Sequence, residues 1–306
     1  MDIRNVQKTG NMYYVYLPTL WCKSNSIKPA SKVSLMPNND GSLTISPQIA
    51  ERKLKSLNIE LAEDSQSIIN KLLVASYINP TSSFKISLTK PVNIEKLITQ
   101  KKLISIEMVE FDGKHISCES SVVVENPILL LRTMARKVKN MVCVMRTNYD
   151  QQLADRYEEE IDRSKLLIEK SVIHRLTFNE PSSIKNIYMH YAALISKDLE
   201  KAVDQLLILG KTEKSFLEMI EKCITNLLDI FDKIASLNHT NISYKDVILF
   251  SKNVDSIRLE PIKGPKSYSK LITKQMLENI SEVLFDWSVT YMVEDKPDKQ
   301  VSVHLD

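Results

Sequence analysis

Glycine is scarce: the 306 residues include five, at positions 10, 41, 113, 210 and 264. Usual composition, about 7% glycine, would place roughly 20 in a chain of this length. Scattered so widely, the five cannot form G-x-G-x-x-G or G-x-x-x-x-G-K-[ST], the loops whose backbone N–H groups cradle nucleotide phosphates. The nucleophile elbow G-x-S-x-G fails on the same count. Cysteine is sparse as well. Cys22, Cys118, Cys143 and Cys223 include no C-x-x-C pair, which argues against a zinc ribbon or disulfide framework and for free thiols in a reducing compartment. Long hydrophobic runs are missing: Pro127-Ile-Leu-Leu-Leu131 falls far short of the ~20 residues of a membrane span. The opening Met-Asp-Ile-Arg-Asn-Val lacks the apolar centre of a signal peptide. Histidines 115, 174, 190, 239 and 304 form neither H-E-x-x-H nor Glu-x-x-His, so zincin and ferritin-like di-iron chemistry are disfavoured. No Ser/His/Asp or Cys/His set can be assembled. The chain reads as cytoplasmic, without membrane insertion, and not an enzyme.

What is present is ordinary globular material, 43% apolar and 26% charged, long enough for two or three domains. Three stretches differ in character. Residues 1–47 read as short strands. Ile3 to Lys8 and Met12 to Leu17 flank Thr9-Gly10-Asn11, and Val33 to Met36 and Ser42 to Ser46 flank Asn39-Asp40-Gly41. Asp-Gly is a strong hairpin signal, and Pro18 is placed to open a short helix between the hairpins. So small a β unit makes a poor independent core and calls for a partner chain.

Residues 50–125 follow a β-α-β-α-β-β pattern: a strand at 57–61, a helix capped by Asp64-Ser65 and running to Tyr77, a strand at 84–88, a helix at 94–103, then a hairpin around Asp112-Gly113. This is a small α/β linker domain. From Pro127 the strand signal ends. Up to six amphipathic helices with short links occupy 127–295, a bundle or two stacked three-helix units. The third is opened by Pro181-Ser182 and stopped at Gly210, and residues 296–306 form a tail.

Charge is distributed unevenly. The N-terminal unit carries Arg4, Lys8, Lys23, Lys28 and Lys32 against Asp2 and Asp40, a net +3 that equals the net charge of the whole chain. Basic side chains on strands and loops neutralise phosphates; a solvated basic surface is the plainer reading of charge alone. The helical part offers carboxylates. Asp155, Glu158, Glu159 and Asp162 share one helix face, Glu200 and Asp204 are an i, i+4 pair, and Glu278, Glu282 and Asp286 form a further stripe. Like charges at this spacing cost a helix roughly 0.2–0.5 kcal/mol per pair. A metal ion would offset that cost, and so would Arg163, Lys165, Lys197 or Lys201. Glu282 has no basic residue three or four positions away. On the first long helix Arg132, Arg136 and Lys139 form a basic stripe, suited to an anion or to pairing with the acidic face of the next helix.

Residue order adds to these patterns. Arg4-Asn-Val-Gln-Lys-Thr-Gly10, Tyr14-Val-Tyr-Leu-Pro18 with Trp21, Ile27-Lys-Pro-Ala-Ser-Lys-Val33 and Asp40-Gly-Ser-Leu-Thr-Ile45 resemble the AbrB/MazE/SpoVT DNA-binding family. The resemblance implies a swapped-hairpin β-barrel in which two chains interleave, with Arg4, Lys8, Thr9 and Lys23 facing double-stranded DNA. Pro29-Ala30-Ser31-Lys32 departs from that family's Gly-Asp-x-Val turn. Asp155-Arg-Tyr-Glu-Glu-Glu-Ile-Asp162, Asp198-Leu-Glu-Lys-Ala-Val-Asp204 and Leu277-Glu-Asn-Ile-Ser-Glu282 resemble the acidic helices of the PhoU phosphate-signalling family. That implies a six-helix bundle of two three-helix repeats. It also implies metal ligands at Glu158, Asp162, Glu200, Asp204, Glu278 and Glu282 for iron, zinc, manganese or magnesium.

Taken together, the chain resembles the archaeal phosphate-uptake-regulator type. The implied fold class is multidomain α+β: an AbrB-like barrel, a small α/β middle domain and an all-α PhoU-like bundle. The implied function is DNA-binding transcriptional regulation of phosphate homeostasis by a homodimer or higher even oligomer. The alternative is a PhoU-like adaptor that docks on a phosphate transporter or signalling protein, its N-terminal unit serving only to dimerise.

Overall fold

The computed structural model describes residues 3–37, 41–47, 54–91, 109–119, 124–178, 184–237, 242–259 and 264–295. The expected helix at 94–103, the Pro181-Ser182 helix opening and the tail 296–306 lie outside them. The chain divides into two compact units, one built on Met1–Lys53 and the other on Leu54–Glu180 and Ile184–Asp306. The fold is mixed α+β with small sheets and a helical C-terminal region.

The N-terminal unit is two antiparallel hairpins around a short helix. β1 (Gln7–Thr9) pairs with β2 (Met12–Tyr14), α1 spans Thr19–Ser24, and β3 (Ser34–Pro37) pairs with β4 (Leu43–Ser46). Pro18, with φ −59° and ψ 128°, precedes α1 as its N-cap. No described residue of this unit is buried. Met12 is 72% exposed, Tyr13 69%, Tyr16 62% and Leu20 83%, so in the single chain the apolar side chains that should form its core face outward.

The second unit starts with a four-stranded sheet of order β5-β6-β8-β7, where β5 is Lys55–Leu61, β6 Thr81–Leu88, β7 Val109–Phe111 and β8 His115–Glu119. β5 and β6 are parallel, joined through α2 (Gln66–Ile78); β6 pairs antiparallel with β8, and β8 with β7. The register places Leu57 beside Phe84, Ile59 beside Ile86 and Leu61 beside Leu88 on one face. Strand alternation leaves Ser56, Asn58, Glu60 and Lys85 exposed on the other. The turn between β7 and β8 works as its residues suggest. Gly113 takes φ 93°, a conformation that costs a Cβ-bearing residue. Asp112 Oδ1 accepts the backbone N–H groups of Lys114 and His115 at 3.0 and 2.7 Å. These bonds, with the His115 ring, hold the Asp112 carboxyl down to about 2.

Six helices follow: α3 (Pro127–Thr147), α4 (Gln151–Phe178), α5 (Asn186–Leu209), α6 (Lys214–Leu237), α7 (Tyr244–Asp255) and α8 (Pro265–Asp295). α3 has Pro127 in its first turn and the Asn126 side-chain Oδ1 accepting from the N–H groups of Ile128 and Leu129 at 3.1 and 3.2 Å. α5 begins after Lys185 and stops at Gly210, whose φ is 55°. A Cβ there would also come within 3.3 Å of the Tyr149 hydroxyl. α3 packs on α4, α5 and α6, α4 on α5, and α5 on α8; α7 packs on both α6 and α8. One core runs through these helices, from Leu131, Met134 and Val138 to Ile195, Leu199, Leu227, Phe231, Ile280 and Trp287. Trp287 packs against both Tyr188 and Tyr191, its ring stacked at 5.7 and 5.9 Å from theirs.

α4 has two buried faces. Ile161, Ile168 and Val172 join the bundle core, while Leu166 joins the core between α2 and the sheet, with Ile69, Leu73, Phe84 and Ile86. Lys170, 2% exposed, places its ammonium 4.3 Å from the centre of the Tyr77 ring, and the Ser171 hydroxyl accepts the Val124 N–H at 3.0 Å. The α/β layer is thus seated directly on the helix that carries Glu158 and Asp162.

Candidate functional site

The N-terminal unit presents its basic residues openly: Arg4, Lys8, Thr9 and Lys23 are all exposed. Lys8 stands opposite Tyr13 in the β1–β2 register, and its ammonium lies 5.3 Å from the Tyr13 ring centre. The Thr9 hydroxyl donates to the Tyr14 hydroxyl at 3.3 Å. Neighbouring strand residues point to opposite faces, so Lys8 and Thr9 project from opposite sides of the hairpin. Lys23 sits in the last turn of α1, beside the carbonyl end that favours a cation.

In the bundle, Glu158 and Asp162 from α4 meet Asp204 from α5, with one carboxylate oxygen of each within 4.8 Å of the others. Asp162 is 2% exposed; Glu158 and Asp204 are half-buried. One helical turn separates the first two, and the packing of α4 on α5 brings in the third. The donors are all carboxylate oxygens. Such a set suits hard or borderline cations such as magnesium, manganese, calcium or iron, whereas structural zinc usually takes nitrogen and sulfur. Three oxygens no more than 4.8 Å apart lie at most about 2.8 Å from a common centre, so drawing each in by up to about half an ångström reaches the 2.3–2.6 Å of calcium, and a smaller ion needs a little more. The residues present therefore fit a single oxygen-ligated cation.

The other expected ligands stand elsewhere. Glu200 faces Lys165 at 3.6 Å. Glu278 is half-buried and faces Lys274 at 3.6 Å. Glu282 is exposed. Glu169 was not among the residues the acidic spacing singles out, yet it lies 4.0 Å from Lys165. Burial pushes its carboxyl up, and nearby Glu200 adds to this; Lys165 and Lys197 pull it back. The sequence signal for Glu169 was its i+4 relation to Lys165. Asp198 is likewise raised by burial, against Lys201, Lys197 and a hydrogen bond with Asn279.

Arg132 and Arg136 of the basic stripe on α3, and Lys137 and Arg146 beside it, form ion pairs. Lys137 meets Glu160 on the next helix at 3.0 Å. Arg132 and Arg136 meet Asp232 of α6, and Arg146 meets Glu221 at 2.8 Å and Glu218 at 3.6 Å. His174 is buried with its ring edge-on to Phe178 at 4.9 Å, and His190 is exposed. No described helix is long and apolar enough to cross a membrane. Comparison of the chain with protein-family models, with curated proteins and with solved structures finds no match.

Proposed function

We propose that the protein is a DNA-binding transcriptional regulator of phosphate uptake, an AbrB-like swapped-hairpin barrel joined to a PhoU-like bundle. The observation that carries the proposal is the N-terminal unit. It has the hairpin–helix–hairpin order of such a barrel, none of its described residues is buried, and its basic side chains are open. A second copy would cover Met12, Tyr16, Leu20 and Leu43 and set two sets of Arg4, Lys8 and Lys23 on one assembly. Phosphate contacts from these residues would position the barrel on the duplex, and strand and loop side chains would add limited base readout. The helices support the second half of the reading: α3–α5 and α6–α8 are two consecutive triplets, with α3 packed on α6 and α5 on α8. In this reading the bundle senses a cation at Glu158, Asp162 and Asp204, phosphate, or a partner protein. It biases the barrel only so far as its ligand distinguishes two states.

The test is a titration of labelled genomic duplex fragments with the full-length protein. Binding that weakens in Arg4→Ala and Lys8→Ala is expected. No affinity at low salt, from a protein that is nonetheless dimeric, overturns the DNA reading and leaves the adaptor.

A further inference from the structure

The seam between α4 and α5 does not end at the three-carboxylate group. One turn further along α4 stands Lys165 and then Glu169; across from them on α5 stands Glu200, one turn before Asp204. The Lys165 ammonium lies 3.6 Å from a Glu200 oxygen and 4.0 Å from a Glu169 oxygen. The three side chains are 20%, 16% and 21% exposed. The seam thus holds five carboxylates in two groups, and the second group already contains a cation belonging to the chain.

We infer that Lys165 is a built-in counter-ion which closes the Glu169–Glu200 half of the seam to metal, so that Lys165 sets how many divalent ions the seam takes. A divalent ion bound by Glu169 and Glu200 would have to sit about 2.0–2.6 Å from their oxygens, nearer than the ammonium at 3.6 and 4.0 Å and in direct repulsion with it. The tethered ammonium gives up no translational freedom to stay there, whereas a free ion does. Two carboxylates with waters completing the shell are enough for magnesium or manganese, so removing the ammonium should expose a usable site. Lys197 is also near Glu169, but it is exposed, and solvent screens its contribution. The inference rests on the proposed metal reading only for the first group. Lys165's effect is a difference between variants and stands or falls separately.

The experiment counts Mn2+ equivalents on chelator-stripped full-length protein, from the electron paramagnetic resonance signal of the free ion. Lys165→Met should take up one more Mn2+ per chain than the wild type, Lys165→Arg should match the wild type, and Lys165→Met/Glu200→Gln should lose the added equivalent. Equal counts for wild type and Lys165→Met overturn the inference. Should Lys165→Met not fold, Lys165→Gln, which keeps a hydrogen-bonding head, takes its place. Glu200→Gln alone is expected to leave the wild-type count unchanged, and a lost equivalent there overturns the inference too. A wild type that binds no Mn2+ refutes the metal reading of Glu158, Asp162 and Asp204, while a single equivalent gained on removing Lys165 still supports the counter-ion role.

Discussion

Leu166→Ala should loosen the α/β layer while sparing most of the helical core, although Leu166 lies in the middle of a bundle helix. Its side chain is 6% exposed and packs with Ile69, Leu73, Tyr77, Phe84 and Ile86. Truncating a buried leucine to alanine costs about 2–5 kcal/mol, depending on how far the cavity collapses. Taking about 3 kcal/mol, local opening of the layer should become roughly 150-fold more frequent, since each 1.4 kcal/mol is tenfold. The thermal transition of the unit should fall by about 6–12 °C, at about 2–4 °C per kcal/mol for a unit of this size. Hydrogen exchange read by peptide mass spectrometry is the assay. Protection should drop in 55–88 and 109–119 and hold in α5 and α8. Ile168→Ala, two residues on but in the bundle core, should do the opposite. An unchanged α/β layer in Leu166→Ala, or a loss spread evenly over all helices, refutes the view that α4 serves two cores.

Two more predictions follow from single residues. Burial pushes the Cys223 thiol from the usual 9.0 up to about 12, so it should stay protonated and unreactive toward a disulfide reagent while the half-buried Cys22 reacts. Because the folded value is raised, the stability it represents is full below about pH 9 and is lost as pH climbs toward 12; base denaturation that begins later in Cys223→Ala checks the sign, and no difference contradicts it. Tyr16→Asp places a charge among the exposed apolar residues of the N-terminal unit. If the proposed dimer forms through this surface, sedimentation should show it falling to monomers while helical circular dichroism is retained; an unchanged mass would mean that this surface is not the interface.

Much of the fold was legible because backbone signals and apolar periodicity are local. The Asp112-Gly113 turn, the Pro127 helix start and the Gly210 stop each fall where their chemistry requires, while Asn39 and Asp40 of the other expected Asp-Gly turn lie outside the described residues. The faces of long helices were harder. On α8 the apolar spacing points to Ile272, Met276, Ile280, Val283, Trp287 and Tyr291; Ile280 and Trp287 are fully buried and the other four half-buried, while the buried side also takes in Ser269, Thr273, Leu277, Ser281, Leu284 and Ser288. Small hydroxyl residues fit a close helix contact and satisfy themselves internally: the Thr273 hydroxyl donates to the Ser269 carbonyl at 2.9 Å and that of Ser288 to the Phe285 carbonyl at 2.9 Å. A count of hydrophobic residues does not register them. On α4, Leu166 is an apolar residue like Ile161 and Ile168 at helical spacing, and only the packed structure separates its core from theirs. The carboxylates divide similarly. Spacing put Glu158 and Asp162 on one face, and the resemblance of the acidic helices set Asp204 among the same expected ligands; nothing along the chain says that Lys165 would claim Glu200.

If the N-terminal unit binds DNA as a pair, the salt dependence of that binding reveals it. Arg4, Lys8 and Lys23 from two copies would neutralise about six phosphates, giving a slope of log K against log salt of about −5 and a loss of roughly a thousandfold in affinity between 50 and 200 mM. Lys8→Ala, which removes two of those charges, should reduce the slope to about −3.6. A slope near zero, or one that Lys8→Ala leaves unchanged, contradicts the account.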